Sequence, residues 1–131
     1  MFLQLGDILE IDMAQILITG KSWTSRVLLR AQLIEEGFDV EACEDVQAAA
    51  DRLWSSREMP SLQVVDLFES IDAVEDVATL SHWAKVLPIW ILAGHGTAGA
   101  ATLEGQGFER ILFRPVDVGK LVQEVKQRLA E

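Results

Sequence analysis

The run Thr19-Gly20-Lys21-Ser22 holds the most suggestive chemistry in the chain. Glycine lets a backbone close on an anion, and a lysine and a hydroxyl beside it supply donors, so such a run can cradle phosphate. The full phosphate-loop pattern also needs a glycine five residues before Gly20, and that residue is Gln15. The nucleotide-binding motif is therefore incomplete. A weaker anion site survives: the first N–H groups of a following helix, with Lys21 and the hydroxyls of Ser22, Thr24 and Ser25. Gly94-His95-Gly96 sets a histidine in a loop with no evident Asp or Cys partner for nucleophilic catalysis. His82 reads as a surface or boundary residue of a helix, and no second histidine is spaced for a metal. Cys43 is the only cysteine, so it forms no internal disulfide, favours a reducing compartment and reads as a small half-buried side chain. No catalytic set emerges, and the chain is expected not to be an enzyme.

Such residues act only where a scaffold gathers them. Five short apolar runs read as strands: 14–19, 39–42, 62–67, 88–93 and 110–113. They are nearly continuous in apolarity, as in a parallel sheet covered on both faces. The second is polar enough for an edge. Helical spacing fills the gaps. Residues 25–36 carry Leu29, Leu33, Val27 and Ile34, and Gly37 can stop that helix. Asp45 can cap a helix to about residue 57, with Val46, Ala49, Ala50 and Leu53 on one side. Residues 72–85 repeat the pattern, 97–103 give a short helix, and Asp117 can cap the last, with Val118, Leu121, Val122, Val125 and Leu129 in a stripe.

Strict alternation with short loops implies right-handed crossovers and an α/β, flavodoxin-like (βα)5 three-layer sandwich, with sheet order 2-1-3-4-5. The switch point then lies between strands 1 and 3, and ligands bind outside the carboxyl ends of such strands. That end gathers Thr19 to Ser22, Asp66, Ala93 to His95 and Arg114.

The whole chain has 131 residues, with 11 basic and 21 acidic side chains, a net charge of −10. One domain is expected at 13–131, preceded by an acidic, partly apolar extension at 1–12 and with no second domain. Half the residues are apolar, which excludes an intrinsically disordered chain. The negative charge opposes nucleic-acid binding. The longest apolar run, residues 86–94, is too short to span a membrane, and the first residues lack the basic start of a secretory signal. Trp90 reads as core, as do Trp54 and Trp83; Trp23 reads as exposed near the crevice.

Gly107–Val125 (GFERILFRPVDVGKLVQEV), Leu62–Leu67 (LQVVDL), Ile16–Val40 and Cys43–Ser55 together resemble a response-regulator receiver domain (CheY-like) over residues 14–130. The resemblance implies that Asp66 is the phosphoacceptor and that Pro115 follows a cis peptide bond. In that family an acidic pair after strand 1 holds Mg²⁺, a Ser or Thr after strand 4 binds a phosphoryl oxygen, and a lysine after strand 5 neutralises charge. Here those positions fall on Gly20 and Lys21, on Ala93 and on Arg114, and the aromatic position of strand 5 is Ile111. Only Asp66 is retained, with Arg114 a partial match. A lone carboxylate beside a lysine anchors Mg²⁺ poorly, so binding is expected to be weak or absent, with no other cofactor. Lys21 is expected to fill the place of the metal and pair with Asp66, and Arg114 can add a second cation.

What the resemblance implies is a degenerate, or pseudo-, receiver of two-component (phosphorelay) signalling, bacterial and cytoplasmic, acting through protein contact. Partners would be a histidine kinase, another receiver or an output domain. A homodimer would form through the face of helix 4, strand 5 and helix 5. The alternatives are a conventional phosphoacceptor using Asp66 with an atypical metal site, and a small anion- or FMN-binding domain.

Overall fold

The computed structural model describes residues 15–55, 58–94 and 103–130. The described elements are β1 (Gln15–Gly20), α1 (Trp23–Glu35), β2 (Asp39–Cys43), α2 (Val46–Ser55), β3 (Leu62–Asp66), α3 (Ala73–Trp83), β4 (Ile89–Ala93), β5 (Arg110–Phe113) and α4 (Val118–Ala130). All four strand pairs are parallel, in the order β2-β1-β3-β4-β5. The expected helix at 97–103 lies outside the described residues but for its last, the buried Leu103; the 1–12 extension and His95 also lie outside them.

Alternation along each strand feeds two core layers. Leu17, Val65 and Ile91 face Val46, Leu53, Val77 and Leu80 of α2 and α3. Ile16, Ile18, Val64 and Trp90 face Leu29, Leu33, Leu121 and Val125 of α1 and α4. The helix ends follow local chemistry. Ala48 N–H donates to Asp45 Oδ1 at 2.8 Å, Glu75 N–H to Asp72 Oδ1 at 3.1 Å and Lys120 N–H to Asp117 Oδ1 at 3.0 Å, so each aspartate relieves an orphan donor of a first turn. α1 ends in a Schellman turn. Gly37 takes φ 96°, its N–H reaches Ile34 O, and Phe38 N–H reaches Leu33 O.

Two side-chain expectations fail. Val27 and Ile34 are exposed, because α1 rests on the sheet along the narrow seam of Leu29 and Leu33. Trp54, expected in the core, is 81% exposed. The buried stripe of α2 is Val46, Ala49 and Leu53, and residue 54 falls one step beyond it. Its ring meets the buried Trp83 edge-on, with centroids 6.1 Å apart.

Candidate functional site

The carboxyl ends of β1, β3 and β4 meet at Asp66. Gly20 pairs with Asp66 in register, and Asp66 with Leu92. A Cβ on Gly20 would lie 3.1 Å from Asp66 Cβ, so glycine is what lets the two strands end this close. Asp66 Oδ1 accepts a hydrogen bond from Phe68 N–H at 2.9 Å and an ion-pairing one from Arg114 Nη2.

Arg114 is delivered by β5. Its N–H donates to Ala93 O at 2.9 Å, extending the ladder one residue past the strand. The Arg114–Pro115 peptide bond is cis. The guanidinium stacks over the Phe68 ring, 4.8 Å from its centroid. Between them, Arg114 and the β3–α3 turn leave the Asp66 side chain 11% exposed. That turn is tight: Ser70 N–H reaches Leu67 O, and Glu69 sits at φ 65°, a left-handed conformation costly for a residue with a Cβ. Ser70 Oγ donates to Asp76 Oδ2 at 2.6 Å, which ties the turn to α3.

Lys21 is not the partner of Asp66. The chain turns away after Gly20, and Lys21 lines a groove with Asp45, Asp72, Glu75 and Asp76 at the starts of α2 and α3. The four carboxylates offer a better field for an ammonium than one carboxylate already bonded to Arg114. Ala93 is buried at the end of β4, in register with Phe113, and brings no hydroxyl. Ile111 is half-buried on the side of α2 and α3.

Of the residues expected for an anion site, Ser22 lies at the crevice, donating from Oγ to Ser25 Oγ at 3.3 Å, whereas Thr24 is exposed and does not line the cavity beside Asp66. Sequence reasoning missed Arg26. One turn into α1, its Nη1 donates to Gly20 O at 2.6 Å, and both residues line the same cavity. The available signal was an arginine in a first turn that contains no acid. Phe68 was also missed as the platform under Arg114.

The donor set does not fit a divalent ion. Magnesium wants oxygen ligands anchored by one or two carboxylates, usually with several waters. Here a glycine and a diverted lysine hold the acidic-pair positions, and Asp66 is committed to a cation and an N–H. Among the described residues no cluster of three or more His, Cys, Asp or Glu side chains could hold a metal.

Two resolved carboxylate shifts lie elsewhere. Hydrogen bonding to Arg52 holds Glu41 below the ordinary glutamate value, against a partial burial that pushes the other way. Hydrogen bonds from Arg128 and from Trp90 Nε1 lower Glu109 in the same manner. Partial burial, then the neighbouring Glu41 charge, pushes the Cys43 thiol up.

No protein-family model matches the sequence, and no curated protein matches it either. Solved structures do. The receiver domain of NtrX from Brucella abortus superposes with a TM-score of 0.71 at 21% identity, over 88% of this chain and 98% of that one. The chemotaxis response regulator CheY4 of Vibrio cholerae gives 0.70 at 19% identity, over 88% and 98%. A response regulator from Thermotoga maritima gives 0.68 at 18% identity, over 91% and 99%. The chain therefore has the fold of response-regulator receiver domains, down to the 2-1-3-4-5 sheet order. No helix among the described residues is long and apolar enough to cross a membrane.

Proposed function

We propose that this chain is a receiver-type module of two-component, phosphorelay signalling that acts by protein–protein contact, without turnover of phosphate on Asp66. One observation supports this above all: Arg114 occupies the carboxylate that a phosphoacceptor would have to present, stacked on Phe68. An aspartyl nucleophile and an incoming phosphoryl group are both anionic, so transfer depends on a metal ion and cations holding the oxygens in line. Gly20, Lys21 and Ala93 supply neither the metal ligands nor the hydroxyl, and Arg114 neutralises Asp66 without phosphate. The crevice is thus locked in one charge state, and the module signals by its standing shape.

Its partners in this reading are a histidine kinase, another receiver or an output domain, in a bacterial cytoplasm, with self-association through the face that holds β5 and α4 as one form of contact. Net charge of −10 turns nucleic acid away. The test is incubation with acetyl phosphate and Mg²⁺ followed by intact-mass measurement. The expected result is an unchanged mass. A stoichiometric phosphoryl adduct that Asp66→Asn abolishes would establish a working phosphoacceptor instead.

A further inference from the structure

α1 shows solvent an apolar face. Trp23, Val27, Leu28 and Ile34 are exposed, Trp23 at 67%, and so is Ala31 among them. Their spacing is that of a heptad, abcdefg, with Thr24 and Ala31 at a and Val27 and Ile34 at d. Leu29 and Leu33, which the helix buries, fall at f and c; the half-buried Ser25, Arg26 and Gln32 fall at b and c. The sheet therefore takes the b, c and f side of the helix, and every a, d, e and g residue from Trp23 to Glu35 is left exposed. An apolar seam of this spacing is one that a second helix covers. We propose that the second helix is the α1 of another copy of this chain, packed in parallel across a two-fold axis.

The flanks of the seam choose the partner and its direction. In a parallel pair each g residue meets the e residue five positions further along the other helix. Those pairs are Trp23 with the partner's Leu28, apolar on apolar, and Arg30 with the partner's Glu35, opposite in charge. The two-fold axis makes each of them twice. Antiparallel packing would turn each flank on itself and set Arg30 beside the partner's Arg30, a like-charge contact. Neither Arg30 nor Glu35 forms an ion pair among the described residues. Glu35 stands in the last turn of α1, where a carboxylate faces the negative end of the helix dipole and no base offsets it. A guanidinium from the second copy supplies that base. The face carries one charge of each sign in a chain of net charge −10, so two copies meet there without adding to their mutual repulsion. Ala31, small and in the middle of the seam, lets the two backbones approach closely.

This contact uses neither Asp66 nor the face of β5 and α4, so it stands or falls apart from the signalling reading. Sedimentation equilibrium on the full chain, from about 1 µM to about 1 mM, tests it, and a reversible dimer is the expected result. Ile34→Lys sets two ammonium groups against each other in the seam and should weaken the dimer by about a hundredfold or more. Arg30→Glu and Glu35→Arg each turn two attractive pairs repulsive and should each weaken it by about tenfold; the double exchange should restore it. All three positions are exposed, so circular dichroism should show the monomer fold intact. Should Ile34→Lys fail to fold, the charge exchange decides. Direction is read from Ala31→Cys in a Cys43→Ser background: a parallel pair sets residue 31 against its own counterpart, and mild oxidation should close a disulfide between the chains. A chain that stays monomeric across the whole range overturns the proposal. So does a dimer indifferent to Ile34→Lys and Arg30→Glu, which belongs to another face, and so does one that the double exchange does not restore or that fails to cross-link at residue 31.

Discussion

Arg114→Met removes the cation over Asp66 while keeping a side chain of similar length on Phe68. The Asp66 side chain is 11% exposed and that of Arg114 29%. Such a pair lies between an exposed one, worth about 0–1 kcal/mol, and a fully buried one, whose breakage costs about 3–5 kcal/mol. Asp66 keeps its bond from Phe68 N–H, so the stranded carboxylate is only partly uncompensated. The expected loss on Arg114→Met is therefore about 2 kcal/mol. Asp66→Asn should cost less, about 1 kcal/mol, since the amide oxygen still accepts from both donors. Urea unfolding of the wild type, both single variants and the double variant gives the coupling directly. A coupling of about 1–2 kcal/mol that shrinks in high salt is the expected result. A coupling under about 0.5 kcal/mol would show that Arg114 does not hold Asp66 in solution, and the locked crevice would fall with it.

Acid should destabilise the fold through Glu41 and Glu109. Both have folded values below the ordinary 4.5, so their contribution is complete above that pH and is lost as pH falls through the depressed values. Glu41→Gln and Glu109→Gln should each flatten the fall in melting temperature below pH 4.5, and an unchanged slope would refute the assignment. Cys43, with its thiol pushed up by burial, should react with a disulfide reagent more slowly at pH 8 than a free thiol does, full rate returning on unfolding in urea. Gly20→Ala should cost about 1–3 kcal/mol by urea unfolding, because its Cβ presses on Asp66 Cβ at 3.1 Å.

The fold was legible because its signals are local and repeated. Apolar runs such as Leu62–Asp66 and Ile89–Ala93, and caps such as Asp45 and Asp117, each depend on a few neighbouring residues. The edge position of β2 was readable from Asp39 and Glu41 for the same reason. The site was legible in membership and not in pairing. Asp66, Lys21 and Arg114 could all be assigned to the strand ends that form the crevice, with both cations as candidates for the carboxylate. Which one bonds it depends on the direction the backbone takes after Gly20, and no spacing encodes that. Arg26 was hidden because it belongs to a helix whose pattern accounts for it as a surface residue; only the fold brings its guanidinium back to the end of β1. Trp54 is exposed because helical phase, and not side-chain size, decides which face of α2 is buried.

The glycine that ends β1 has a further implication for engineering. Returning a carboxylate to position 20 is not a matter of exchanging one side chain, because any Cβ there meets the Cβ of Asp66, an atom too close to its own backbone to swing aside. The neighbouring strand would have to slide outward by a few tenths of an ångström before the new acid could reach an ion. Arg114 would have to let go as well, and neither change helps without the other. The chain thus sits behind a double latch, and a design that sets out to rebuild a magnesium-dependent switch on this scaffold must begin with strand spacing and add its ligands second.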